Sequence, residues 1–197
     1  MATKLSEDIL VSNYTKYKKR LDSYLGEDIA NKIIEELGGE DAVMRASFAT
    51  TKDTGLAYEG SLCRTILNIA TYAVKINDLL PESKQAEKAS IVKVALLNNI
   101  SKVQMFKPME DEWQRNKRGI MYDFNDKLDG KLRAGERSIL IAANCGVIFT
   151  GSEYEAMRIM DRANDEDDKM VKVHSSVLSL TIKQATELIN AISRTNI

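Results

Sequence analysis

The sequence has very few of the residues that interrupt helices, cross-link chains or bind metal ions. Its 197 residues include two prolines, two cysteines and a single histidine. Because only Pro81 and Pro108 can break the backbone, long helices can continue, and apolar residues recur at helical spacing almost everywhere. The sequence therefore predicts an all-α fold.

Long apolar runs and excess charge of one sign are also missing. Nothing approaches the roughly 18 consecutive apolar residues of a membrane span, and the N-terminus has no apolar leader segment. Lysine and arginine number 28 against 29 acidic residues, so the net charge is −1. This balance argues against a nucleic-acid-binding protein that works by bulk charge. We expect a cytoplasmic protein with no membrane partner.

The two cysteines are far apart in the sequence. Cys63 and Cys145 both lie in apolar surroundings, which is typical of reduced thiols in a core. Hydrophobic residues make up 44% of the chain, enough for a core that needs no disulfide or metal to hold it.

Apolar periodicity places the helices. Residues 42–59 are expected to be irregular, and residues 101–133 form a long connection, holding Trp113, Tyr122 and Phe124, that should lie over a pocket. The helices are predicted at residues 7–25, 27–37, 61–80, 83–99, 135–149, 152–163 and 171–194.

Four parts of the chain carry a recognisable pattern of scaffold residues. They are residues 55–67 (GLAYEGSLCRTIL), 96–103 (LLNNISKV), 122–138 (YDFNDKL, then RAGERS) and 155–162 (EAMRIMDR). In order and spacing they resemble the HD-domain phosphohydrolases, in the small single-domain form often found in phages and gut bacteria. The resemblance covers residue 46 to about residue 190 and implies an HD-domain-like bundle of about six to eight helices.

In that family, histidines and aspartates of these segments hold divalent metal. The resemblance puts their positions at Thr65, Asn98, Asn99, Ala134, Met160 and Gln184. These side chains carry no charge to offset a dication, and with one histidine in the chain no realignment restores the site. The resemblance thus implies a degenerate site with no metal, no cofactor and no phosphohydrolase activity.

Some polar residues of the family pattern remain at Lys102, Glu136, Arg137 and Ser138. A glutamate near a helix N-terminus favours the helix dipole, and a serine there can cap or pack locally. We interpret these residues as structural. The alternative is that Lys102 and Arg137 still hold a phosphate or nucleotide without cleaving it.

Residues 1–45 lie outside the resemblance. We predict that they form an N-terminal helical extension to one compact unit, residues 46–197. Tyr14, Tyr17, Lys18 and Tyr24 combine aromatic and basic character and are the candidate partner surface.

The leading hypothesis is an inactive HD-fold protein that serves as a structural or protein-interaction module. Its partners would be other protein subunits, in a homo-oligomer or a larger assembly such as a phage virion, within the virion or the host cytoplasm. The alternative hypothesis is a non-hydrolysing sensor or sponge for a nucleotide or phosphate ligand in the former pocket.

Three further features are interpreted as ordinary surface. The acidic run 165–168 lacks the alternating ligands and central glycine of a calcium loop. The basic and aromatic run 16–20 could touch nucleic acid or an acidic partner, but it also fits the wet face of an amphipathic helix. His174 has no nucleophile at a recognisable spacing.

Overall fold

A computed structural model of the protein describes residues 5–159 and 175–195, and most of them are helical. The all-α prediction is confirmed, and seven of the described helices have nine or more residues. The helices are α1 (Glu7–Leu25), α2 (Glu27–Glu36), α3 (Glu40–Arg45), α4 (Ser61–Asp78), α5 (Lys88–Leu97), α6 (Lys102–Met105), α7 (Glu112–Lys117), α8 (Ala134–Asn144), α9 (Gly151–Ile159) and α10 (Val177–Arg194); the strands are β1 (Phe106–Pro108) and β2 (Tyr122–Phe124).

Helix α1 forms because its apolar residues recur three and four positions apart and face the core. Ser6 occupies the predicted cap position, but its side chain makes no capping hydrogen bond. Gly26, with φ of +84°, ends the helix where predicted. The buried stripe consists of Leu10, Tyr14, Tyr17 and Leu21.

Two glycines end α2, as predicted. Gly38 has φ of +100°, and the Gly39 N–H donates to the Ile34 carbonyl at 2.9 Å. The prediction that residues 42–59 are irregular was wrong in part, because α3 continues to Arg45.

Helices α4 and α5 pack against each other as an antiparallel pair, and α10 packs against both. The predicted start of α5 at residue 83 was wrong. A single 3₁₀ turn, Glu82–Lys84, comes first, and the Asn77 side chain then holds Ala86 through two hydrogen bonds of 2.8 and 3.1 Å. These bonds keep the chain extended until α5 begins.

The long connection 101–133 folds into small elements of its own. Strands β1 and β2 pair in antiparallel fashion, with Phe106 opposite Phe124, and α7 lies between them. The Met121 N–H donates to the Thr50 carbonyl at 2.7 Å, which ties the connection to the preceding irregular segment.

The N-terminal helices share one hydrophobic core with the rest of the described chain. Tyr17, Leu21 and Ile33 belong to the same buried cluster as Ile66 and Leu96. The Tyr17 hydroxyl donates to the Leu96 carbonyl at 3.2 Å, and burial raises the pKa of that phenol well above its usual value. Residues 5–45 are thus integrated into the core rather than loosely attached.

Both cysteines are free and buried, as the sequence predicts. Burial raises the pKa of the Cys63 thiol to about 12 and also raises the pKa of Cys145. Neither thiol is activated as a nucleophile.

The later helices differ from their predicted bounds. Helix α8 ends at Asn144 rather than residue 149, because the chain turns at Gly146, whose φ is +98°. The predicted helices at 152–163 and 171–194 correspond to α9 and α10 in their described parts. Within residues 5–159 and 175–195, no helix combines the length and apolar character that a membrane span requires.

Candidate functional site

Three of the segments that carry the family-like motifs, 55–67, 96–103 and 122–138, meet at one end of the α4–α5 pair. Ser101, which follows α5, donates its hydroxyl to the Ala134 carbonyl at 2.8 Å, and its N–H donates to the Ser138 hydroxyl at 3.1 Å. The antiparallel packing puts Thr65, near the start of α4, at the same end as Asn98, just after α5. This meeting point is the candidate site.

The positions expected to be former metal ligands are not all placed alike. Thr65 and Asn98 are buried, at 2% and 3% exposure, whereas Asn99 and Ala134 are partly exposed. Gln184 is exposed on α10, whose buried face carries other residues, so its side chain does not join the meeting point. Met160 lies outside the described residues, as do the acidic run 165–168 and His174.

Hydrogen bonds and packing close this end of the core. Ser101 and Ser138 are fully buried. The ammonium of Lys102 lies 3.6 Å from the centre of the Phe48 ring, and the Phe48 N–H donates to the Ser61 hydroxyl at 2.8 Å. The polar groups here bond to neighbouring backbone or stack on aromatic surface.

Glu136 and Arg137 have structural partners at the start of α8. Glu136 accepts from the Arg133 N–H at 3.2 Å, which completes a capping box at the N-terminus of α8. Arg137 donates through Nη2 to the carbonyls of Asp129 and Gly130 at 2.6 and 3.2 Å, and its buried Nε has no acceptor. Arg137 therefore fixes the loop before α8.

The buried part of the site offers hydroxyl and amide groups and the guanidinium of Arg137, which is a cation and cannot bind a metal ion. In the described part of the chain, no group of three or more histidine, cysteine, aspartate or glutamate side chains is placed to hold a metal ion. Thr65, Asn98, Ser101 and Ser138 can donate and accept hydrogen bonds, but they neither activate a water molecule nor balance a dication.

The prediction of an aromatic and basic surface on α1 is wrong for Tyr14 and Tyr17. Tyr14 and Tyr17 are only 8% and 1% exposed, because they lie on the same helix stripe as Leu10 and Leu21. Lys18 is partly buried and pairs with Asp22 at 2.6 Å, and Tyr24 alone remains well exposed, at 43%.

Exposed aromatic side chains lie instead on the connection between α6 and α8, in residues 106–124, here called the aromatic arm. Trp113 and Phe124 are 58% and 60% exposed. Asp111 caps α7 by accepting from the Trp113 and Gln114 N–H groups at 2.8 and 3.1 Å. The sequence places these aromatic residues within a long connection. It does not predict which of them are exposed, because a strand of three residues is too short to show an alternation of buried and exposed positions.

We expect that Ser138→Ala destabilises the protein by about 1–3 kcal/mol, because it leaves the buried Ser101 N–H without its acceptor. Urea unfolding monitored by circular dichroism measures the change. Ser83→Ala, at an exposed position, is the matched control and should change stability by less than about 0.5 kcal/mol. Equal effects of the two substitutions would mean that the hydrogen bond does not close this end of the core.

Comparisons with protein-family models, with curated proteins and with solved structures find no match to this chain. The fold is all-α, and within the described residues three motif-bearing segments, 55–67, 96–103 and 122–138, come together. The HD-domain resemblance therefore stays a prediction from the sequence motifs.

Proposed function

We propose that the protein is a catalytically inactive relative of the HD-domain phosphohydrolases that acts as a structural or protein-interaction module in a larger assembly, such as a phage virion. Its aromatic arm supplies the contact surface. The observation that carries this proposal is the exposure of Trp113 and Phe124, at 58% and 60%, on a segment that is held in place.

Exposed aromatic rings on an ordered support are characteristic of protein interfaces. Tryptophan is over-represented among interface residues whose truncation is costly, because a large ring buries much area and loses little conformational entropy. Phe124 packs edge-on against Phe106, with 5.5 Å between ring centres, so the arm presents a ring whose orientation is already fixed. Pre-ordering of this kind reduces the entropic cost of binding.

One hydrogen bond ties the arm to the body of the protein, and a second joins the residues at its two ends. The Lys52 N–H donates to the Gly119 carbonyl at 2.8 Å, and the Asn125 N–H donates to the Met105 carbonyl at the same distance. A partner that covers Trp113 would therefore contact a surface continuous with the core rather than a loose loop.

The candidate site supports a non-catalytic role. Its buried side chains include no carboxylate or histidine that could bind a metal ion, and the buried Ser101 N–H donates to the Ser138 hydroxyl rather than facing open space. The alternative function, a nucleotide or phosphate sensor in the former pocket, is less well supported, because Arg137 already donates to the Asp129 and Gly130 carbonyls.

The proposal is tested by placing a photo-crosslinking amino acid at position 113 and irradiating the protein in a lysate of its source cell. We expect a crosslink to another protein subunit, either a second copy or a different chain. The same amino acid at the exposed position 84 is the control and should give none. Trp113→Ala should weaken binding to the purified partner at least about thirtyfold, since a central aromatic residue contributes about 2 kcal/mol or more.

Trp113→Ala should leave stability unchanged within about 0.5 kcal/mol, because the ring is largely exposed. Loss of partner binding then cannot be ascribed to unfolding. The proposal fails if position 113 gives no crosslink, or if the purified protein hydrolyses phosphate esters in the presence of manganese or nickel.

A further inference from the structure

A cleft of about 500 Å³ lies between α1 and α4, away from the meeting point of the motif segments. Helix α1 contributes residues at positions 13, 16, 20 and 24, and α4 contributes positions 64, 67, 68 and 71. Positions three and four apart share one face of a helix, so each helix turns a continuous strip of side chains toward the cleft. The volume suits a small organic ligand.

The walls of the cleft are strongly basic. Lys16, Lys19, Arg20 and Arg64 line it, and none of its lining residues is acidic. The whole chain has a net charge of −1, so this is a local concentration of positive charge rather than a general property of the surface.

Among residues 5–159 and 175–195, no carboxylate forms an ion pair with these cations. Lys18, on the same helix, pairs with Asp22 at 2.6 Å, but no ion pair of the described residues involves the four cations of the cleft. Two guanidinium groups and two ammonium groups therefore remain available to a ligand. Arginine can bind phosphate through two parallel hydrogen bonds, and lysine binds it as a point charge.

The cleft also offers groups that suit the organic part of a ligand. The Tyr24 side chain is 43% exposed at one end and provides a ring on which a planar base can stack. The Asn13 amide nitrogen is buried against the cleft and has no hydrogen-bond partner.

We propose that the cleft between α1 and α4 binds a small phosphate-bearing molecule of nucleotide size. Lys16, Lys19, Arg20 and Arg64 hold the phosphates, and Tyr24 stacks on the organic part. The cleft is open to solvent on one side, and its volume of about 500 Å³ fits a single small molecule, whereas a nucleic acid strand would need a basic groove that continues beyond the cleft.

Isothermal titration of the full-length protein with ATP, tripolyphosphate and adenosine tests the proposal. We expect ATP and tripolyphosphate to bind, adenosine alone to fail, and the affinity for ATP to fall as salt is added. Arg64→Glu should weaken ATP binding at least about tenfold, because it replaces a phosphate-binding cation by a repelling charge.

Lys84→Glu is the matched control, since it makes the same change of charge at an exposed position outside the cleft. Its effect on ATP binding should stay within about twofold. The proposal is overturned if neither ATP nor tripolyphosphate binds at millimolar concentration, or if Arg64→Glu and Lys84→Glu act alike. It is also overturned if a single-stranded oligonucleotide or an acidic peptide binds more tightly than ATP and competes with it.

Discussion

Replacement of Glu153 by alanine is expected to destabilise the protein by about 3 kcal/mol. The Glu153 side chain is 4% exposed, and its carboxylate accepts from the Lys93 ammonium at 2.8 Å. It also accepts from the Ser90 hydroxyl and the Thr150 N–H, each at 2.9 Å. Alanine would leave the Lys93 ammonium, whose side chain is 19% exposed, without its counter-charge. Equilibrium unfolding in urea measures the change.

An exposed ion pair provides the control. Lys183 and Glu187 on α10 are 3.9 Å apart, and their side chains are 35% and 66% exposed. Glu187→Ala should therefore cost less than about 0.5 kcal/mol, because water and salt screen such pairs. If Glu153→Ala costs no more than Glu187→Ala, the buried pair does not stabilise the fold.

The effect of Glu153→Ala should also depend on pH. Burial acts to raise the pKa of Glu153, but Lys93, the Thr150 N–H and the Ser90 hydroxyl outweigh it, so the pKa lies below its usual value of 4.5. The folded state thus binds fewer protons than the unfolded state, and the stabilisation is complete at neutral pH and lost as the pH falls through the folded-state pKa. The difference between wild type and Glu153→Ala should shrink in acid.

Helical periodicity was a reliable guide where a helix buries one regular stripe. It predicted α1, α2 and α4 nearly to their bounds, because Gly26, Gly38 and Pro81 interrupt the pattern at the right places. It failed at the start of α5, where the two hydrogen bonds between Asn77 and Ala86 join residues of different elements. Such bonds depend on the tertiary fold, and no local spacing reveals them.

For the tyrosines of α1, residue type gave the wrong prediction of exposure, whereas helical spacing gives the right one. Tyr14 and Tyr17 were assigned to a partner surface because they combine with Lys18 in an aromatic and basic set, yet their spacing places them on the buried stripe with Leu21. Burial of Tyr17 is tolerated because its hydroxyl donates a hydrogen bond to the carbonyl of Leu96, which lies 79 positions away in the sequence. Only the packed structure shows that acceptor.

At the candidate site, the sequence does not predict the hydrogen bond between the Ser101 N–H and the Ser138 hydroxyl, because the two residues lie 37 positions apart. Gln184 does not join the candidate site. The buried positions of α10 include Leu178, Ile182, Ala185 and Ile189, which leaves position 184 on the opposite side of the helix. A motif with few fixed letters cannot set the register of a long helix, whereas helical periodicity can.

Replacement of Gly55 by alanine is expected to destabilise the protein by about 3 kcal/mol. Gly55 has φ of +69°, and a Cβ atom at this position would overlap the backbone carbonyl of Ser193, in the last turn of α10. Backbone strain contributes about 1 kcal/mol, and displacement of a packed helix end contributes the rest. Thermal or urea unfolding measures the change.

Gly130→Ala separates the two contributions. Gly130 has almost the same φ, +71°, but a Cβ atom there would have no neighbour within 4 Å. Its replacement should therefore cost only the backbone strain, about 1 kcal/mol. If the two substitutions cost the same, the close approach between Gly55 and α10 does not constrain the fold. A larger cost for Gly55→Ala means that the fold needs glycine at position 55, because α10 packs directly on its backbone. This structural requirement does not depend on whether the protein retains any catalytic activity.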